Sequence, residues 1–277
     1  NFSFDRMIAR SAFTPVADDA YTIHALMQEE LQRREREENE ALFRKIHRHL
    51  FEYYRDKLMG GEVENPKEIV AKIKASLNHA LIAGISEYVS WLLQVRHFLR
   101  VQGDWEYLES AYLFAIDGLQ ENGISHIELF VAVLNNLAVT LESLGRSEEA
   151  SVLFETAAIR ASDFTFSHDF IQSVLQYNVG LNLIALGKHG DAVKFLQSAS
   201  NGPKQTDPVL ASLRYESILD LANLSESIFG NAAAEPMLRE ACMGLLGRPT
   251  ARLYSSAVAL DCLSRNLARQ ERHGEAF

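Results

Sequence analysis

The side chains able to do chemistry are scattered along this sequence. Nine histidines are spread through 277 residues, and the closest two, His47 and His49, stand two apart. That spacing puts their rings on different faces of a helix, so they cannot share a metal. Cys242 and Cys262 have no metal-type spacing around them and read as small buried apolar residues of a reducing compartment. The one Gly-Lys pair, Gly187-Lys188, is followed by His189 and not by Ser or Thr, so the chain holds no phosphate-cradling loop. No Ser-His-Asp or Cys-His spacing, glycine-rich nucleophile elbow or paired-carboxylate motif stands out. The expectation is a non-enzyme with no metal and no cofactor of its own, so binding must come from a surface.

The elements that would build such a surface are helical and repeated. Gly61, Gly103, Gly145, Gly187, Gly230 and Gly274 recur at intervals of 42, 42, 42, 43 and 44 residues, each where one apolar helical face ends and another begins. A fixed period in this range marks a helical solenoid. Ile127, Phe130, Val131, Leu134, Leu137, Leu141 and Leu144 show the helical steps of three and four. The predicted pairs are 39–59 with 67–82, 86–101 with 105–121, 126–144 with 147–162, 167–186 with 189–199, and 208–229 with 235–246. A last helix covers 250–272. Pro66, Pro203, Pro208, Pro236 and Pro249 fall at predicted ends or first turns, where no helix hydrogen bond is lost.

The net charge is −10, and residues 1–60 hold 10 Lys or Arg against 11 Asp or Glu, leaving 17 against 26 beyond. An acidic repeat region excludes phosphate-backbone binding as its main task. No apolar run reaches the ~18 residues of a membrane span. The dense mixed charge of residues 28–57 reads as a solvated helix face, alongside an apolar stripe of Leu42, Ile46, Leu50, Tyr53 and Tyr54. Ahead of it, residues 12–16 and 21–24 read as two short strands joined by Ala17-Asp18-Asp19-Ala20. Both termini look like cuts through a longer polypeptide.

The units resemble the tetratricopeptide repeat. Asn136-Leu137-Ala138, Gly145, Ala150, Phe154 and Ala157 match that family's spacing, as do Asn178-Val179-Gly180, Gly187, Ala192, Leu196 and Ala199. The units around Gly103 and Gly230 match mainly in spacing and apolarity. The resemblance implies an all-α, right-handed α-α superhelix of about five and a half helix pairs, lined on its concave side by the first helix of each pair. A second resemblance covers the N-terminal stretch. Arg10-Ser11-Ala12-Phe13-Thr14-Pro15-Val16, Tyr21-Thr22-Ile23-His24-Ala25-Leu26-Met27 and His49-Leu50-Phe51-Glu52-Tyr53-Tyr54 are similar to the junction between the winged helix and the repeat sensor of a STAND-type (NB-ARC-like) signal-transduction NTPase. Residues 1–36 would then be the end of a winged helix and residues 37–277 the repeat domain, truncated in a sixth unit. In that family a His closing the wing helps to hold the nucleotide diphosphate. His24 occupies its place, and Ala25 departs from the Asp or Pro that often follows. ATP and ADP would belong to a module upstream of Asn1.

The repeat resemblance carries over groove positions to Arg55, Trp91, His97, Arg100, Asn135, Glu142, Tyr177 and Asp220. Trp91 beside His97 and Arg100 either anchors a partner chain or packs between repeats. Val139 and Leu181 stand where chaperone-tail-binding members use Asn, so a C-terminal-carboxylate clamp is not expected. Leu181, Ile184 and Leu224 as groove walls suit an apolar or helical ligand. The resemblance implies a cytoplasmic sensor for a protein, peptide or small ligand, without nucleic acid or membrane, in a parent chain able to oligomerise. The alternatives are a stand-alone interaction scaffold and the ligand-binding region of a transcriptional regulator.

Overall fold

The computed structural model describes residues 13–17, 20–23, 39–60, 65–123, 126–162, 169–201, 208–246 and 253–276. His24, Gly61, Pro203 and Pro249 lie outside the described residues. Strands β1 (Phe13–Ala17) and β2 (Ala20–Ile23) form the expected hairpin, antiparallel, with Phe13 opposite Ile23 and Ala17 opposite Ala20. From Glu40 onward every described element is a helix. They are α1 (Glu40–Met59), α2 (Pro66–Ala83), α3 (Ile85–Val101), α4 (Trp105–Glu121), α5 (Ile127–Ser143), α6 (Ser147–Ser162), α7 (Asp169–Ala185), α8 (His189–Ser200), α9 (Pro208–Phe229), α10 (Asn231–Leu246) and α11 (Leu253–Arg269). The chain divides into two compact units, Asn1–Trp91 and Leu92–Phe277, the division falling inside α3. Among the described residues no helix is long and apolar enough to cross a membrane.

In the first unit, asparagines start the helices. Asn39 Oδ1 accepts from the Leu42 amide (3.2 Å), and Asn65 Oδ1 accepts from the Lys67 amide (3.0 Å), with Pro66 at the first helical position. Phe43 and Phe51 of α1 are buried, while Leu42, Ile46, Leu50 and Tyr53, the expected apolar stripe, lie at the exposed surface. The charged residues of the same helix stay solvated, as the Glu40–Arg44 pair does.

In the second unit, consecutive helices run antiparallel, so α5, α7, α9 and α11 are parallel to one another. What sets their separation is size. Ala150, Phe154 and Ala157 of α6 are buried, and so are Ala192, Leu196 and Ala199 of α8. A Cβ built on Gly180 of α7 would come within 2.7 Å of the Leu196 side chain, so only glycine lets the two backbones approach this closely. The next pair repeats the device with Ala222, Ala234, Leu238 and Ala241, all fully buried. The sequence obscures this unit because glycine and packing set fall out of step. The packing set advances by 42 residues (Ala192 to Ala234), whereas the glycine advances by 43 (Gly187 to Gly230). The turn at Gly230 is shorter: α9 and α10 are joined by that one residue. Accordingly α10 begins at Asn231, not at 235, and Pro236 lies inside it on an exposed face, where the sequence pattern put it in a first turn.

The turns at Gly103, Gly145 and Gly187 share one hydrogen-bond scheme. Gly145 has φ 77°, its amide donates to Glu142 O (2.9 Å), and the Arg146 amide donates to Leu141 O (2.9 Å). Gly103 with Asp104 and Gly187 with Lys188 repeat both bonds. This is the Schellman arrangement, which satisfies the last carbonyls of a helix through a left-handed residue. The final turn places Glu271, at φ 62°, in that role, with Arg272 N donating to Leu267 O (3.0 Å). Glu271, and not Gly274, is therefore the sixth turn residue, and a side chain is held where glycine is favoured.

A Cβ at Gly145 meets nothing within 4 Å, so Gly145→Ala isolates the backbone cost and is expected to destabilise the fold by about 1–2 kcal/mol in urea unfolding. Glu271→Gly should move stability the other way, by about 0.5–1 kcal/mol.

Candidate functional site

The second unit carries a groove of about 740 Å³ across the inner face of its first-of-pair helices. Each helix contributes a stripe at helical steps. α3 gives Leu93, Arg96 and Arg100, and α5 gives Glu128, Leu129, Ala132, Asn135, Asn136 and Val139. From α7 come Ile171, Val174, Leu175, Tyr177 and Asn178, and from α9 Ser212, Leu213 and Glu216. The lining is aliphatic at eight positions and carries the amides of Asn135, Asn136 and Asn178.

Those amides are tied between repeats. Arg100 Nη2 donates to Asn136 Oδ1 (2.9 Å), and Asn136 Nδ2 donates to Ala132 O (2.7 Å). One repeat further, Asn178 Nδ2 donates to Asn135 Oδ1 (2.9 Å), and the Tyr177 hydroxyl donates to Asp220 Oδ2 (2.9 Å). Ser255 Oγ donates to Glu216 Oε1 (2.7 Å). Beside the groove, Asn182, buried, donates to Glu142 Oε1 (2.8 Å) and to Ser147 O (3.1 Å). Two repeats on, Asn266 makes the same two bonds to Glu226 Oε1 (3.3 Å) and Asn231 O (3.0 Å). Between them, the equivalent positions are Ile184 and Leu224, two apolar residues in place of the polar pair. Buried polar groups in these junctions are thus matched to partners, as a low-dielectric interior requires.

Burial acts on the carboxylates here. It raises the Glu142 carboxyl above its usual range, against the opposing effect of the Asn182 hydrogen bond. Burial also pushes Asp220 up to about 6, with the Tyr177 hydrogen bond acting against it and the charge of Glu216 adding to it. Burial raises the Tyr112 phenol, with the neighbouring Arg100 and Arg96 guanidiniums opposing that shift.

Of the residues singled out from the sequence, Arg100, Asn135 and Tyr177 line the groove. Glu142 and Asp220 stand behind it as hydrogen-bond partners of other repeats. Trp91 does not line it. It is 2% exposed, its indole N–H donates to Ser76 Oγ (2.7 Å), and its ring meets Phe51 edge-on. The anchor expectation is corrected: an indole this buried is core. His97 is exposed and outside the lining, its ring edge-on to Phe98. Arg55, in the first unit, pairs with its neighbour Asp56 (3.0 Å) and lies over the Phe51 ring. Leu224 is buried core and not a groove wall, and Leu181 and Ile184 are half-buried outside the lining. Arg96, Asn178 and Glu216 were not selected as groove residues. Asn178 was legible, lying 42 residues after Asn136; Arg96 was not, because it stands where later repeats have the small Ala138 and Gly180.

Two histidines meet in the first unit. His47 is joined by His79, not by His49, with the two Nδ1 atoms 2.9 Å apart and Tyr54 stacked on the His79 ring. Burial, and then the proximity of His47, lower the His79 pKa. Among the described residues no three His, Cys, Asp or Glu side chains are grouped to hold a metal.

No protein-family profile matches the chain, and no curated protein is recognisably similar in sequence. Solved structures are similar in fold. BtubC (BKLC) from P. vanneervenii is 14% identical with a TM-score of 0.59, over 83% of this chain and 86% of that one. PilF of Pseudomonas aeruginosa is 15% identical with a TM-score of 0.52, over 84% and 89%. NprR in complex with its cognate peptide NprX is 15% identical with a TM-score of 0.50, over 90% and 81%. The fold is a tetratricopeptide-like α-α superhelix.

Trp91→Ala should lower the unfolding free energy by about 3–5 kcal/mol, as removal of a buried indole does; an unchanged melting temperature would return Trp91 to the surface. For Asp220, a folded-state pKa of about 6 lies above the ordinary 3.8, so its contribution is fully present below 3.8 and is lost as pH rises through 6. The difference between the chain and Asp220→Asn should therefore change by up to about 3 kcal/mol between pH 4 and 7 in urea unfolding, with the native chain losing ground as pH rises.

Proposed function

We propose that residues 37–277 are a non-catalytic recognition region whose groove takes a segment of a partner protein. The carrying observation is the groove itself: a volume of about 740 Å³ lined by aliphatic side chains and three asparagine amides across α3, α5, α7 and α9. Apolar walls with a few convergent polar groups suit an extended chain, whose side chains fill the walls while amides meet its backbone. The likeness in fold to NprR, solved in complex with its cognate peptide NprX, supports a peptide over a small molecule.

In the finer reading, the region is the sensor of a STAND-type NTPase, with residues 1–36 as the end of a winged helix. The β1–β2 hairpin ahead of the helices supports it. ATP or ADP would then be held upstream, His24 would report on it, and occupation of the groove would release that module to exchange nucleotide and oligomerise. Two free cysteines suit a cytoplasmic setting. Without such a module the region would act as a scaffold.

Panning a random octapeptide library against the full chain tests the groove. Enriched peptides should lose about tenfold or more in affinity to Ala132→Arg, which places a long side chain in the groove lining, at unchanged melting temperature. Val152→Arg, on a surface residue 62% exposed and away from the groove, should leave them unaffected. Failure to enrich any peptide sensitive to Ala132→Arg would sink the peptide reading.

A further inference from the structure

We infer that the groove is electrically polarised along the row of helices and accepts its peptide in one direction, with an acidic side chain at the α3 end, where Arg96 and Arg100 stand, and a basic one at the α9 end, where Glu216 stands. The inference rests on the peptide reading above and adds the ligand's charge pattern and orientation.

The charges are segregated by position. Both guanidiniums in the lining come from the C-terminal half of α3, at one end of the row of helices. Of the two carboxylates in the lining, Glu216, in the third turn of α9, stands at the other end of the row, and Glu128, in the first turn of α5, stands one helix from the arginines. α7, which precedes α9 in the row, adds no charged side chain to the lining. The two arginines stand out because the chain as a whole carries −10. In an acidic protein two guanidiniums side by side in a groove attract a carboxylate, and low-dielectric surroundings strengthen that field. Arg96 and Arg100 lie one helical turn apart on the same face, so their planar donor forks can converge on one carboxylate. Arg100 is oriented by its bond to Asn136, which is held in turn by Ala132 O. Orientation fixed before the ligand arrives reduces the entropy lost on binding. Four helices at packing distances of about 8–10 Å span roughly 24–30 Å, the reach of some seven to nine extended residues at about 3.3 Å each. A peptide of that length touches both charged ends at once, and its reverse sequence would set like charges together.

The test uses the octapeptides enriched on the full chain, read by fluorescence anisotropy. Enriched sequences should carry Asp or Glu near one end and Lys or Arg near the other. The reversed sequence should bind at least about tenfold more weakly. Arg96→Glu should cost a similar factor, and replacing the peptide's acid by Lys should restore binding to that variant. Should Arg96→Glu lose helicity, the isosteric change of the peptide's acid to its amide replaces it, expected to weaken binding and to flatten its salt dependence. Equal affinity for forward and reversed peptides, or indifference to both charge changes, overturns the polarity while leaving the peptide groove standing. Absence of any enriched peptide sensitive to Ala132→Arg overturns both.

Discussion

Everything in the second unit depends on how closely the two helices of a pair can approach. Gly244 against Tyr215 and Gly180 against Leu196 are the tightest cases, since at either glycine a single added carbon would overlap the facing side chain. Alanines at 138, 150, 157, 192, 199, 222, 234 and 241 do the same at the other junctions, all of them buried. Small residues on both sides bring the backbones together, and Phe154, Leu196 and Leu238 fill the space that remains. This keying fixes the offset of each pair, and repetition of one offset every 42 residues aligns the first helices into a common face.

That alignment is then pinned by polar contacts between repeats. Asn182 and Asn266 make the same pair of bonds two repeats apart, to a glutamate at the end of the preceding first helix and to a carbonyl at the start of its partner. Arg146 with Glu109 and Glu149, and Arg272 with Glu235 and Glu275, repeat another network three repeats apart. These ion pairs are largely exposed and add little stability. The buried asparagines matter more, because a slipped register would leave their amides without partners.

The groove is what is left over once this stacking is satisfied. Its residues divide into those committed to neighbouring repeats and those presented inward. Asn135, Tyr177, Glu142 and Asp220 spend hydrogen bonds on other repeats. Aliphatic side chains and the charged ends face the opening. A carboxylate such as Asp220, pushed up to about 6 by burial, is tolerated because a tyrosine hydroxyl meets it.

Read as a string of residues, the chain already specifies helices, their pairing and their turns, because these depend on local chemistry. Glycine permits the left-handed turn, proline suits a first turn, and apolar steps of three and four mark the buried face. The Gly145 and Gly187 units were legible in that way, and so was the β1–β2 hairpin. Wherever local signals drifted apart, legibility ended: the unit after Gly230 hid behind a turn two residues shorter, and Glu271 took a glycine's place without a glycine. Only the tertiary structure decided which side of each helix faces the groove. Trp91 on α3 is buried in the first unit, while Arg96, five residues on, lines the opening. Those five residues carry the chain more than one turn around the helix axis, and the neighbours each face meets come from elsewhere in the chain. Helical spacing shows which residues share a face; it cannot show whether that face meets protein or water.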